Sequence, residues 1–114
     1  MKQVKFKQMK DGDKEDYLLL KEYEDNYIKR TANRIIRALK HLDVSLGGYQ
    51  VSRLEHSLQT ASRALRDNAS EEMVVASLLH DIGDELAPEN HSEFAAAILK
   101  PFVSKKTCWI IDKH

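Results

Sequence analysis

The segment EEMVVASLLHDIGDELAPENH, residues 71–91, decides the fold expected for this chain. Its first half is apolar almost all the way round at helical spacing, which predicts a central helix buried by its neighbours. Ser70, followed by two acidic residues, is a favourable start for that helix. His80, Asp81 and Gly83 then introduce a polar loop. The pattern predicts a helical protein whose central helix ends in polar side chains.

Helical patterns also occupy most of the remaining chain. Periodicity and capping residues predict further helices over residues 13–30, 32–42, 51–67 and 91–100, and the start of another at 104–114. The 51–67 helix has an apolar stripe at Val51, Leu54, Leu58, Ala61 and Leu65, and the letters NHSE predict a capping box between Asn90 and Glu93. We expect an all-α fold, an HD-type bundle by the resemblance given below, with five or six helices over residues 13–114 and a short extended N-terminal arm over residues 1–12.

Composition limits the class of protein. The chain has 114 residues, enough for one modest core, and its 18 basic residues balance 18 acidic ones. This balance argues against nucleic acid or an anionic membrane as a partner. No apolar run reaches the roughly 18 residues of a membrane span, and the basic N-terminus lacks the apolar centre of a signal peptide. The single Cys108 excludes an intramolecular disulfide. We therefore expect a cytoplasmic protein.

His80 and Asp81 could bind a metal ion or could simply end a helix. A histidine is electrostatically favourable in the last turn of a helix, whereas a carboxylate there needs a positive charge or several hydrogen-bond donors. A divalent cation would supply that charge, and imidazole with carboxylate is a common ligand combination for Zn, Fe or Mn. From these two residues alone, a polar turn capped by Asp81 and Gly83 is the simpler interpretation.

His56 lies on the polar face of the third predicted helix, beside Gln59, Thr60 and Arg63. A histidine on such a face is usually a solvated surface residue. If that face lines a cleft beside the 71–80 helix, however, His56 becomes a second ligand converging on His80 and Asp81. The residues alone leave both interpretations open.

Two motifs identify a family resemblance. RLEHSLQTA, residues 53–61, and VVASLLHDIGD, residues 74–84, resemble the HD-domain superfamily of metal-dependent phosphohydrolases, over about residues 45–114. The resemblance implies that His56 is the first metal ligand and that Asp81 of the His80-Asp81 pair bridges two ions, which makes Asp81 the expected catalytic residue. It also implies that His91 and His114 hold the second ion. Taken alone, His91 could be exposed in a first helical turn and His114 could fray. Two divalent ions are expected, iron first, with Mn, Zn and Mg as alternatives.

The nearest resemblance within this superfamily is to the branch that contains mixed-valent diiron oxygenases acting on organophosphonates. Those enzymes typically carry a tyrosine and a glutamate around a Gly-Gly pair, where this chain has Leu46 and Tyr49. The superfamily also takes its last metal ligand, an aspartate, from a later helix, and Asp112 is too early for that role. We therefore expect the HD-type domain to be C-terminally incomplete, which would favour a homodimer.

Three functions follow from the resemblance. The first is hydrolysis of a phosphoester in a small phosphorylated metabolite or nucleotide, with Gln59, Arg63 and Tyr49 as substrate-binding residues. The second uses the same ligands in a diiron oxygenase that cleaves a phosphonate-like substrate. The third, from another class, is a non-catalytic interaction domain that keeps the scaffold with an incomplete site.

Overall fold

The computed structural model describes all residues 1–114 and contains helices but no strands. The six α-helices are α1 Lys14–Ile28, α2 Thr31–His41, α3 Arg53–Arg66, α4 Glu71–Leu79, α5 His91–Leu99 and α6 Lys105–Lys113. Short 3-10 turns cover Met9–Asp11, Leu42–Val44 and Pro88–Asn90. The all-α prediction is therefore confirmed. None of these helices combines the length and the apolar composition needed to cross a bilayer.

The chain divides into two compact units, Met1–Ile36 and Arg37–His114. The predicted division into an arm over residues 1–12 and a domain over residues 13–114 stays a prediction. In the first unit, residues 1–8 form no helix or strand, and the predicted arm also contains the 3-10 turn Met9–Asp11.

A capping box starts α1. The Asp13 carboxylate accepts from the Asp16 backbone N–H at 2.9 Å, and the Asp16 carboxylate accepts from the Asp13 backbone N–H at 3.2 Å. Asp16 also accepts from the backbone N–H of Lys5 at 3.1 Å, so this buried side chain attaches the N-terminal segment to the first turn of α1.

In the second unit, α3 packs against α4 and α5 packs against α6, while α4 also contacts α6. The apolar core of this unit includes Ala76 and Leu79 of α4, Ala95 and Leu99 of α5, and Ile111 of α6. Helix α4 is thus central, as its sequence predicts. Its burial is incomplete, however, because Val75 is exposed.

The inner face of α3 differs from the predicted apolar stripe. Leu58 and Leu65 are 49% and 66% exposed, whereas Ser57 is fully buried. The Ser57 hydroxyl donates to the Arg53 carbonyl oxygen at 2.9 Å, so its polar group is satisfied within the helix. The stripe prediction was wrong at these two leucines, because periodicity counts large apolar residues while this helix turns a small one towards the core.

Helix starts and breaks agree with the sequence except at α3, which begins at Arg53 after the cap Ser52 and so leaves Val51 outside the helix, and at α5. Ser70 caps α4 by accepting from the Met73 N–H at 3.1 Å, and the predicted break after α2 contains Gly48 with φ of +95°. The capping box predicted between Asn90 and Glu93 was wrong, since the Asn90 side chain makes no capping hydrogen bond. The Pro88–Asn90 turn leads into α5 and gives Asn90 backbone angles unlike those of the other helix caps.

Candidate metal centre

Asp81 lies directly after the last helical turn of α4, at the centre of a polar cluster in the second unit. It is 4% exposed, and the backbone turns immediately, with the Asp84 N–H donating to the Asp81 carbonyl oxygen at 3.0 Å. Gly83 permits this loop to approach α5, because a Cβ there would lie 2.9 Å from the His91 carbonyl oxygen. The glycine therefore brings the start of α5, and His91 with it, close to the loop.

Four imidazoles from four different places in the chain direct their Nε2 atoms at the Asp81 carboxylate. His80 and His56 approach Oδ2 at 3.0 and 3.3 Å. His114 and His91 approach Oδ1 at 3.4 and 3.5 Å. The structure thus brings together all five residues that the sequence predicts as metal ligands. Their ligation of a metal stays a prediction.

The opposite ring nitrogen of three imidazoles is held by the backbone. In each, Nδ1 lies within hydrogen-bonding distance of the carbonyl oxygen three residues earlier: Ser77 for His80 at 2.6 Å, Pro88 for His91 at 3.3 Å, and Ile111 for His114. A carbonyl oxygen only accepts, so Nδ1 must carry the proton. In a neutral ring the Nε2 lone pair then faces the carboxylate.

A lone pair facing a carboxylate requires a cation or a proton between them. Protonation of all four imidazoles, beside Arg53, would place five positive charges around the two carboxylates of Asp81 and Asp84. Burial and the charge of Arg53 also lower the pKa of His56, which favours its neutral form. Burial would lower the pKa of His80, but the hydrogen bond and charge of Asp81 raise it, so a proton can satisfy that contact. A divalent cation with neutral imidazoles would satisfy the whole donor set with less positive charge.

The candidate ligands form two groups that share one residue. His56, His80 and Asp81 make up the first group, and Asp81, His91 and His114 make up the second. Within each group the ligand atoms lie within 4.8 Å of one another, as ligands of one ion must. Asp81 Oδ2 faces the imidazoles of the first group, and Oδ1 faces those of the second.

Comparison with protein families agrees with this donor set. The HD domain matches residues 53–114, which is more than half of the chain. The chain belongs to the HD domain family. This family consists generally of metal-dependent hydrolases, which suits the His/Asp groups described above. No curated protein matches the chain.

Sequence reasoning missed two polar side chains of the HD-domain site, Arg53 and Asp84. The Arg53 Nη2 atom donates to Asp81 Oδ2 at 2.6 Å, and its Nε donates to Asp84 Oδ2 at 3.0 Å. Arg53 precedes His56 by three residues on α3, and Asp84 follows Asp81 by three. Helical spacing could therefore have placed the arginine beside the histidine. The positive charge of Arg53 would then have indicated a second carboxylate nearby, which is that of Asp84.

The charges of this cluster stabilise one another. Burial alone would raise the pKa of Asp81, but the adjacent His80 and His114 imidazoles, when protonated, and the charge of Arg53 hold it well below its ordinary value. Burial would likewise lower the pKa of Arg53, yet the hydrogen bond to Asp84 and the charges of both aspartates raise it. Asp81 is therefore an anion at neutral pH, as a metal ligand must be.

The three predicted substrate-binding residues differ in whether they lie beside the cluster. Tyr49 is exposed, and its ring centroid lies 4.6 Å from the Arg53 guanidinium carbon, at the edge of the cluster. Gln59 and Arg63 are exposed on α3 and form no hydrogen bond or ion pair with the cluster. Their contact with a substrate stays a prediction.

Helix α6, which leads to His114, is attached to α4 by one glutamate. The Glu72 carboxylate accepts from the Ser104 N–H at 2.6 Å and from the Thr107 hydroxyl at 2.8 Å. Ser104 in turn caps α6 by accepting from the Thr107 N–H at 3.2 Å. The start of α6 is therefore fixed against α4, the helix that ends at His80.

Proposed function

We propose that this HD domain hydrolyses phosphoesters of small phosphorylated metabolites or nucleotides, at a binuclear metal site bridged by Asp81. The observation that carries the proposal is the sharing of Asp81 by two groups of candidate ligands, one at each carboxylate oxygen. Family membership supports metal-dependent hydrolysis as the general chemistry.

Each residue of the cluster has a role in this proposal. His56 and His80 would hold one ion, His91 and His114 the other, and Asp81 both. Bound ions would polarise the phosphoryl oxygens and lower the pKa of a bound water, so that hydroxide is available near neutral pH. Imidazole and carboxylate ligands suit Fe, Mn and Zn, and we propose iron as the first choice.

Three residues are proposed to contact the substrate. Tyr49 lies beside the cluster and is proposed to contact the substrate. Gln59 and Arg63 remain proposed contacts on α3. If they act so, Tyr49→Ala, Gln59→Ala and Arg63→Ala should each raise KM while leaving metal content unchanged.

The test begins with metal content. The chain is expressed without a metal-binding tag, reconstituted under anaerobic conditions with Fe(II), Mn(II) or Zn(II), and analysed for bound metal after gel filtration. We expect two equivalents. Hydrolysis is then followed by phosphate release from phosphomonoesters and by chromatographic separation of the products of phosphodiesters and nucleotides, with Asp81→Asn as the inactive control.

Two other results would replace the proposal. A mixed-valent iron signal, with oxygen consumption on phosphonates and no phosphoester hydrolysis, would establish the diiron oxygenase alternative. A folded chain that retains no stoichiometric metal would favour the non-catalytic interaction domain.

A further inference from the structure

Helix α6 presents two different faces. Thr107 and Ile111 are each 4% exposed and belong to the interior of the second unit. A second face carries four residues, the last three of which follow the first by three, four and seven positions: Lys105, Cys108, Trp109 and Asp112. None of these four is buried, and Trp109 is 63% exposed. The core of the unit therefore uses one face of α6 and leaves a tryptophan on the other.

The second face of α6 forms an open groove with α5. The groove has a volume of about 570 Å³, and Ala96 and Ala97 line its α5 side, where their small side chains leave room. Phe102, in the connection between the two helices, is 62% exposed. Large exposed apolar surfaces are typical of protein contact sites, and tryptophan often supplies much of the binding energy there. The groove is therefore a candidate contact surface.

Two charges at the ends of this face oppose the dipole of α6. A helix favours acidic residues in its first turn and basic residues in its last turn. This helix instead begins with Lys105 and has Asp112 in its last turn. Lys105 forms no ion pair, and Asp112 pairs only with the adjacent, exposed Lys113, at 3.4 Å. These two charges therefore do not stabilise α6 itself and are available to a partner.

The four residues of this face are arranged symmetrically along the helix. Lys105 and Asp112 lie equally far from the midpoint between Cys108 and Trp109. If a second α6 runs antiparallel across this midpoint, Lys105 of each copy faces Asp112 of the other, and Trp109 faces Cys108. Each contact then occurs twice, as in any two-fold interface. The face is therefore complementary to itself.

A second copy matches the groove better than a small ion does. An anion would match Lys100 and Lys105, which both line the groove, but not Asp112. A cation would match Asp112 but neither lysine. Antiparallel pairing supplies an opposite charge at each end of α6 and covers Trp109 at the same time. Charge complementarity therefore favours a second copy of this chain as the occupant.

We propose that this face of α6 is the interface of a homodimer, in which two copies pair antiparallel about a two-fold axis between Cys108 and Trp109. Lys105 and Asp112 form an ion pair at each end of the interface, and the two Trp109 side chains lie between these pairs. None of the candidate metal ligands lines the groove. The inference therefore goes beyond the proposed function and does not depend on it.

The experiment measures the self-association of the unaltered chain by analytical ultracentrifugation over a series of protein concentrations. We expect an equilibrium between monomer and dimer. Trp109 is the only tryptophan, so its fluorescence should move to longer wavelength as dilution separates the copies. Lys105→Asp and Asp112→Lys each place like charges at both ends of the interface, so each should raise the dissociation constant of the dimer by at least about tenfold. Both substitutions suit the dipole of α6, so neither should unfold the helix.

Mixing the two variants tests the antiparallel register. In a dimer of Lys105→Asp with Asp112→Lys, each end again joins an acidic and a basic residue, so the equimolar mixture should dimerise as the unaltered chain does. General damage to either variant would not be reversed by mixing. Lys106→Asp is the matched control, because Lys106 is exposed and lies outside this face. Its charge reversal should leave the dissociation constant unchanged.

Three results would overturn the inference. The first is an unaltered chain that stays monomeric at the highest concentration reached. The second is a dimer that both charge reversals leave intact. The third is an equimolar mixture that stays monomeric although circular dichroism shows both variants to be folded. Metal content of the same samples tests the proposed function, so the two proposals can fail independently.

Discussion

The two units of this chain each bury an aspartate, and the two carboxylates are satisfied in different ways. Asp16 in the first unit and Asp81 in the second are each 4% exposed. Asp16 accepts from the backbone N–H groups of Lys5 and Asp13 at 3.1 and 3.2 Å. No backbone N–H reaches the Asp81 carboxylate, which is surrounded by the Arg53 guanidinium and four imidazoles.

This difference indicates that the kind of donor, rather than burial itself, distinguishes a candidate metal-ligating carboxylate from a structural one. Backbone amides satisfy Asp16 without any ligand, so its role in capping α1 is sufficient. Around Asp81, three imidazoles present Nε2 while Nδ1 is held by a carbonyl oxygen. Such nitrogens satisfy the carboxylate only through a proton or a metal ion. Substitutions at the cluster and at the structural carboxylates can test this comparison.

The largest expected effect is the loss of metal from Asp81→Asn. An amide carries no charge and cannot replace a carboxylate that both ligand groups share. Metal affinity at both positions should therefore fall by more than ~100-fold, which exceeds the loss caused by changing a residue that only hydrogen-bonds to a ligand. Metal content after gel filtration measures this. Asp16→Asn is the matched control and should retain the metal of the unaltered chain. Two equivalents bound by Asp81→Asn would remove the distinction between the two aspartates.

Single histidine variants should each remove one ion. His56→Ala disrupts only the group at Oδ2 and His91→Ala only the group at Oδ1, so each protein should retain about one equivalent of metal. His41→Ala is the control, because His41 is exposed and pairs with Glu85 at 2.8 Å, away from the cluster. Loss of both ions from either ligand variant would show that the positions are not separable.

Asp16→Ala should affect stability and leave metal binding unchanged. The substitution removes acceptors for two backbone N–H groups and breaks the capping box of α1. We therefore expect a loss of about 1–3 kcal/mol in the free energy of unfolding. Urea unfolding followed by circular dichroism measures it. Unchanged stability would mean that water replaces the carboxylate without cost and that Asp16 has no structural role.

The smallest expected effect concerns Glu72, whose carboxylate is satisfied by hydroxyl and backbone donors on α6. The hydrogen bonds from Thr107 and Ser104 lower the pKa of Glu72. A lowered folded-state pKa gives stability that is fully present above the unfolded-state pKa and is lost as pH falls through the folded-state pKa. Glu72→Gln should therefore lower the melting temperature at about pH 7, and the difference should shrink as the pH falls below the ordinary pKa range of a glutamate.

Glu71→Gln is the control for this pH dependence. Glu71 is exposed in the same first turn of α4 and forms no hydrogen bond to α6. Its substitution should not change the melting temperature in a pH-dependent way. An equal effect of the two substitutions would mean that the helix dipole, rather than the attachment of α6, explains the contribution of Glu72.

The sequence predicted the helices well, because helix periodicity and capping depend on near neighbours. The candidate ligands came from the family resemblance, and their binding of a metal stays a prediction. Ser70 and Asp13 cap helices where their patterns indicate, and Gly48 lies in the expected break. The prediction was wrong where tertiary packing overrides local pattern. Leu58 is exposed although it belongs to the apolar stripe, and Asn90 makes no capping hydrogen bond.

What the sequence by itself determined is the set of helices, the family motifs and the identity of the His and Asp residues. Only the tertiary structure decided which oxygen of Asp81 faces which pair of imidazoles. It alone also turned Arg53 onto Asp81 and Asp84, which lie 28 and 31 residues later in the chain. The physical reason is the distance along the chain over which each interaction acts. Helix periodicity and capping act within a few residues, whereas the meeting of distant side chains depends on how α3 packs against α4 and α5 against α6.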